Sequence, residues 1–421
     1  MRSTSRFLSS RTAIWIAWLS WGALIVTIGV LILFGSDHTV VSAYRDAAVQ
    51  WSAGRDVYNN TGHGFLYLPS AAILFAPFAA LPYAASEIAW RVLTIGAFAV
   101  GVRQLSTCFG RGLSFDLFPL MTLASLPPAL SCARNGQSTL IMTAMMMLAA
   151  IDLTKTESGG PRRWRATLWL SLSLAFKPLS IVMILLVGAL DRRMAWRLLV
   201  GVGLVLLSPY LTQTPHYVST QYVMSLQMVR ASSLCGMNEL WAQPFSVLGL
   251  IGVSVSESTQ TLTRVAAGLV TLALCWQAQR RRGSLRAVEY LFSFAVLYIL
   301  LFNPRSENNT YAMLGPAIGL FAAPWIGSSR HRAAVAFLSL LLLGLAAGDE
   351  LVRAFAPPGE HIWLKPSLAI LFLMYLVRQL FAPQDDPRQS STSERKLEFK
   401  SPRRPVPAAA QTASREGALQ P

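Results

Sequence analysis

The chain has 421 residues, of which 53% are hydrophobic and only 13% charged. Soluble proteins average about 25% charged residues, so a soluble globular fold is excluded. The formal charge of +16 reads as lysine and arginine gathered in cytoplasmic loops; with no basic face outside those loops and the tail, a nucleic-acid partner is excluded as well.

The apolar residues fall in blocks of roughly 17 to 24, the length that crosses a hydrocarbon core of about 30 Å as helix. The period-2 alternation of a membrane barrel is absent. The expected fold class is therefore all-α: a polytopic helical membrane protein with about twelve transmembrane helices and a large first outer loop.

Taken in chain order, Arg2, Arg6 and Arg11 precede the apolar run Ala13–Phe34. That run is too long for a signal peptide and lacks a clear cleavage site, so it is read as a retained first helix. The predicted spans are 13–34, 84–106, 114–131, 136–153, 164–176, 178–190, 194–211, 260–279, 287–303, 309–327, 333–348 and 365–382. With the N-terminus inside, "RRWR" (162–165), "DRRMAWR" (191–197), "RRRGSLR" (280–286) and "SSRHR" (328–332) all fall on the cytoplasmic side, as the positive-inside rule asks.

Two stretches need separate readings. "YLPSAAILFAPFAALP" (67–82) is short and broken by Pro69, Pro77 and Pro82, and is read as a helix at or dipping into the outer surface. Residues 166–190 form one apolar block with basic residues at both ends; Lys177-Pro178 at its middle predicts a helical hairpin turning near the outer side. Large outer loops remain at about 35–83 and 212–259. Residues 1–382 then form the membrane domain, and 383–421, rich in Pro, Ser, Gln and charge, a disordered cytoplasmic tail. Both termini are expected in the cytoplasm, in the plasma membrane. Cys108, Cys132, Cys235 and Cys275 show no metal spacing and are read as buried thiols.

Under this threading the unusual polar residues gather on one side. The first outer loop carries Asp37, His38, Arg45, Asp46 and His63. "SCARNGQS" supplies Arg134, Asn135 and Gln137; Lys177 follows, then His216, Arg230, Asn238 and Glu239. "NPRSENNTY" supplies Arg305, Glu307, Asn308 and Asn309. Such a set could hold a phosphate on cations and place a carboxylate for proton abstraction. The plainer reading of most outer-loop charges is solvation, and of Arg134 snorkelling from a helix end. Lys177 resists that reading, because a cation inside an apolar block is costly unless paired or wet. Glu87 and Arg91, at i and i+4, are expected to pair. Asp56, Asp116 and Asp152 look structural or solvated. Tyr44, Trp51, Tyr58, Phe65 and Tyr67 suit an interfacial aromatic belt, and equally stacking on a sugar ring.

Three stretches, "AAVQWSAGRDVY…GFLYLPSAAILFAPFAALP", "GQSTLIMTAMMMLAAIDL" and "LSLSLAFKPLSIVMILL", resemble glycosyltransferase family 87 over roughly residues 13 to 330, in family order. The resemblance implies a GT-C type fold. It implies a mannosyl- or related hexosyltransferase that takes its sugar from a polyprenyl-phosphate donor. The transfer would invert the anomeric centre, at the outer face of the plasma membrane, to a glycan or glycolipid acceptor, without a nucleotide; no cofactor and no metal ligand is assigned among the residues. The family's K-P motif falls on Lys177-Pro178 and its G-Q motif on Gly136-Gln137. On this reading the donor phosphate is held by Lys177, Arg134 and Arg305. Gln137, His63, His216, Tyr67, Glu307 and Asn308 contact substrate. The base is an aspartate of the first outer loop; the family's position before the loop tyrosine is Val40 here, so Asp46 is placed ahead of Asp37. Where many members carry histidines after the late proline, this chain has Asn308 and Asn309.

The physical requirements of the reaction point the same way. A lipid-linked donor needs a membrane cavity open at one face, with cations where charge develops on the leaving oxygen. No glycine-rich phosphate loop is present to suggest a cytosolic nucleotide-sugar enzyme. A lipid-linked sugar transporter or flippase, which would want polar residues near the midplane and repeated halves, and a surface-glycan polymerase or ligase are the competing readings.

Overall fold

The computed structural model describes residues 11–35, 39–58, 65–154, 160–234, 241–326, 328–355 and 360–383. Among them every regular element is helical. The α-helices are α1 (Arg11–Leu33), α2 (Val41–Ser52), α3 (Pro69–Ala79), α4 (Tyr83–Phe109), α5 (Phe118–Asn135), α6 (Thr139–Leu153), α7 (Gly160–Phe176), α8 (Ile181–Leu190) and α9 (Arg192–Leu207). They continue as α10 (Pro215–Leu234), α11 (Pro244–Leu250), α12 (Glu257–Arg281), α13 (Ser284–Phe302), α14 (Leu314–Ala322), α15 (Arg332–Phe355) and α16 (Leu364–Phe381).

The apolar blocks are helical, and among the described residues six helices are long and apolar enough to cross a membrane. Others are short: α6 has 15 residues, and at 1.5 Å per residue it falls short of a core about 30 Å thick. Length and composition therefore support six of the twelve expected crossings. The outward faces of α1 and α12 leave Trp15, Leu19, Val26, Leu262 and Leu269 exposed, which suits a hydrocarbon surround and no aqueous one. The chain is a polytopic helical membrane protein.

Small residues let the central helices approach closely, as membrane helix packing requires. A Cβ on Gly101 of α4 would stand 3.2 Å from the Cα of Ala144 in α6, and one on Gly315 of α14 would stand 2.7 Å from the carbonyl of Ala124 in α5.

The expected hairpin over 166–190 is present. Lys177 precedes a proline, which bars it from the helical region, and its backbone is extended at φ −153°, ψ 121°. So α7 stops at Phe176, a 3-10 turn covers Pro178–Ser180, and α8 starts. The ends of the hairpin meet again at Arg163 and Asp191, 3.9 Å apart. Arg165 with Asp152 and Arg103 with Asp116 lie at that same end. Lys177 is therefore at the opposite end of the bundle, which we call the site end.

A second cluster of buried residues caps the site end, separate from the main core. It joins α2 and α3 to Trp90 of α4 and Val218 of α10. The aromatics read as a belt or a sugar platform are its filling. Tyr44, Trp51, Tyr58 and Phe65 are buried, with Tyr44 5.7 Å from Phe75 and 5.8 Å from Trp90, and Phe65 5.3 Å from Tyr67 between ring centres. Cys108, Cys132 and Cys275 are buried free thiols, as expected; Cys235 lies outside the described residues. The tail reading also lies outside them, from residue 384 onward.

Candidate active site

Two local breaks build the site end. The first is the C-terminus of α5. Gly136 adopts φ +67°, its N–H donates to the Ala133 carbonyl, and Gln137 N–H donates back to the Cys132 carbonyl at 3.2 Å. This is a Schellman cap, which needs a left-handed residue. It turns the chain so that Gln137, Ser138 and Thr139 enter the interior, each 3% exposed or less. The second break is Lys177-Pro178, which delivers the lysine to the same place.

Lys177 is 8% exposed. Its ammonium donates to Thr139 Oγ1 at 2.7 Å and stands 5.9 Å from the centre of the Tyr67 ring. Among the described residues no carboxylate lies within ion-pair distance of it. Thr139 Oγ1 donates in turn to Gln137 Oε1 at 3.4 Å, and Gln137 Nε2 donates to Glu307 Oε2 in a short contact. Tyr44 and Tyr67 join hydroxyl to hydroxyl at 3.0 Å, and the Ser138 N–H donates to Tyr44. Burial pushes the Tyr67 phenol up to about 12, with the Glu307 charge adding to it, and raises Tyr44 as well. Both hydroxyls therefore stay protonated at neutral pH and serve as donors, not bases.

A buried ion pair braces this turn. Glu87 and Arg91, 2% and 3% exposed, bond one to the other through Arg91 Nη1. Arg91 also donates to the Arg134 carbonyl at 3.2 and 2.8 Å, and Glu87 accepts the Thr39 hydroxyl at 3.0 Å. The expected i, i+4 pairing is thus observed, and it ties the end of α5 to the start of α2.

The residues singled out in the sequence separate into groups. Lys177, Gln137, Tyr67 and Glu307 converge. Arg134 contributes its carbonyl to Arg91 while its side chain is exposed. Arg305 is half-buried, its guanidinium 4.4 Å over the Trp241 ring. It lies in the turn just before Glu307, pinned where Ala242 N–H donates to the Ser306 carbonyl at 2.8 Å. Asn308 accepts Lys365 Nζ on its carbonyl at 3.1 Å. Asp46 is exposed, two residues past the buried Tyr44 and so on the opposite face of α2 from Lys177; its charge falls on Tyr83 at the start of α4. His216 is exposed on α10, and no contact joins it to Lys177 among the described residues. Asp37 and His63 lie outside the described residues.

The sequence reading missed three groups here. Thr139 and Ser138 look like ordinary helix-start residues, and only the tertiary turn makes them partners of Lys177 and Tyr44. Lys365, 7% exposed, reads as a boundary cation at the head of α16; its own Lys-Pro pair was a usable signal.

Space around the lysine is uneven. Behind Tyr44, Tyr67, Trp90 and Phe176 the free volume is about 10 Å³, the lower limit for one water, so that side is closed to substrate. Along α3, α7 and α9 runs an apolar groove of about 380 Å³, from Trp164 and Thr167 past Ser171 and Gly201 to Ala175 and Ser70. It ends two residues short of Lys177.

An all-helical membrane protein with a buried ammonium and a half-buried carboxylate at one end of its bundle is the class these observations define. The sequence pattern of glycosyltransferase family 87 matches residues 65–304, more than half of the chain. The protein belongs to that family and is a membrane glycosyltransferase. The match takes in Tyr67, Gln137 and Lys177; Asp46 precedes it and Arg305, Glu307 and Asn308 follow it. No curated protein and no solved structure matches the chain.

Proposed function

We propose that the enzyme moves a hexose, mannose by the resemblance, from a polyprenyl-phosphate donor to a glycan or glycolipid acceptor. The transfer inverts the anomeric centre on a GT-C type scaffold, at the outer face of the plasma membrane, with both termini cytoplasmic. One observation carries this reading: Lys177 is buried at a helix break without a carboxylate partner among the described residues. An ammonium held so has paid much of its desolvation and waits for an anion. A phosphate leaving group is that anion, and the charge that grows on its oxygen is what the lysine stabilises. Tyr67 and Tyr44, kept protonated by burial, add neutral donors. Arg305, half-buried on the segment of Glu307, is a second cation for the phosphate. The apolar groove beside α7 suits a lipid chain whose phosphate reaches Lys177.

The test is direct. Purified protein is incubated with radiolabelled polyprenyl-phosphate sugars and a membrane extract, and sugar release is followed. Release from one such donor, and none from nucleotide sugars, is expected. Turnover of a nucleotide sugar alone would remove the lipid-phosphate reading.

A further inference from the structure

We propose that Glu307 is the general base of the transfer, a role that rests on reading Lys177 as the donor-phosphate site. The ammonium and the carboxylate sit at the two ends of one short chain of contacts. It runs from Lys177 Nζ to Thr139 Oγ1, to the Gln137 amide, to Glu307 Oε2. They are near enough for both to act on the Cys132 thiol electrostatically, yet they form no ion pair. An inverting displacement needs a cation at the leaving oxygen and a base at the incoming one.

Most of the other described carboxylates are engaged elsewhere, and Glu257 is exposed at the start of α12. Glu87 is locked by Arg91 and Thr39. Glu289 is fully buried against Arg286. Asp56 accepts from Gln221 at 3.0 Å. Asp116, Asp152 and Asp191 pair with arginines at the far end. Asp46 faces away on α2. Glu307 is half-buried, and only its Oε2 is held; Oε1 has no hydrogen-bond partner among the described residues. Gln137, fixed by the Schellman turn and 3% exposed, sets the carboxylate's direction.

The step balances as follows. Glu307 Oε1 takes the proton of the acceptor hydroxyl as that oxygen bonds to the anomeric carbon. The bond from this carbon to the phosphate oxygen breaks, and its electron pair stays on the phosphate. Polyprenyl phosphate leaves with one more negative charge, facing Lys177. Glu307, now neutral, returns its proton to water.

Glu307→Gln separates catalysis from anchoring. Its amide oxygen can still accept from Gln137 Nε2, so the turn keeps its partner while the base is lost. In the wild-type assay with a polyprenyl-phosphate sugar, E307Q is expected to lower kcat by about 100-fold or more, leave the donor KM within about threefold, and lose the acidic limb of the pH–rate profile. Asp46→Asn should keep more than about a third of kcat. An E307Q enzyme with near-wild-type kcat and an unchanged pH profile overturns the proposal, as does loss of turnover in D46N or Asp37→Asn with E307Q intact. Wild-type protein that uses no polyprenyl-phosphate sugar sinks the donor reading beneath it, a result distinct from an active enzyme indifferent to E307Q.

Discussion

Where α4 ends and α5 and α7 begin, charges come in partly exposed pairs: Arg103 with Asp116, Arg165 with Asp152, and Arg163 with Asp191. At the site end three charges are sunk. Glu87 and Arg91 are buried and engaged with each other, while Lys177 is buried with, among the described residues, a hydroxyl and a ring face for company. The contrast separates three uses of charge. Exposed pairs cost little to form and return little. A buried pair braces whatever it touches and is expensive to break. A buried cation without a carboxylate partner among the described residues is a candidate site.

The comparison is broken most severely at the brace. Arg91→Met leaves Glu87 buried beside Thr39 alone and frees the Arg134 carbonyl. A loss of about 3–5 kcal/mol is expected, the usual cost of stranding one member of a buried pair. Thermal unfolding in detergent should show it as a large fall in Tm. A Tm within a few degrees of wild type would mean that water reaches Glu87.

Lys177→Met should do the reverse. It removes an ammonium that the fold hosts at a cost, so Tm should hold or rise. Transfer should fall by about 10²- to 10³-fold, the effect of deleting one preorganised charge donor. A drop in Tm like that of R91M, with activity lost in proportion, would make Lys177 a structural residue and end the distinction drawn here.

These residues also show what the sequence could carry. The Lys177-Pro178 break was legible because proline sterics are local; Gly136-Gln137 marked the start of a predicted span, and its left-handed cap came only with the structure. The hairpin and the Glu87–Arg91 pair were legible as well, since they follow from helical spacing. The working face of α2 was not. Tyr44 and Asp46 are two residues apart, and which one turns inward depends on what α3 and α4 press against it. The same packing drew the loop aromatics into the interior. Gln137 and Glu307 were both read as substrate contacts, but the hydrogen bond that joins them spans 170 positions of sequence, beyond any local pattern. Length and composition support six of the twelve crossings read from the apolar blocks, because composition marks an apolar block but does not say how long its helix runs.

A smaller effect probes the turn that carries Gln137. Gly136→Ala would place a Cβ 2.5 Å from Val41 Cγ2 and 3.1 Å from Arg91 Cζ, at a φ that alanine disfavours. About 1–3 kcal/mol of stability should be lost, and turnover should fall with it because Gln137 and Glu307 move together. Loss of stability with kcat unchanged would show that the turn and the carboxylate are independent.

Arg103→Ala is expected to matter least. Arg103 and Asp116 are 30% and 23% exposed, so solvent screens the pair and its worth is about 1 kcal/mol or less. Asp116 is not stranded when the arginine goes, because it still accepts the Phe118 N–H at 2.8 Å at the start of α5 and keeps access to water. Arg103 also lies 5.2 Å over the Phe118 ring, a contact that adds a few tenths at most at an exposed site. Transfer activity should be unchanged, since the residue is at the far end from Lys177. If R103A lowered Tm as much as R91M does, burial would not be what sets the two ends apart, and the weight placed on the unpaired lysine would have to rest on its neighbours alone.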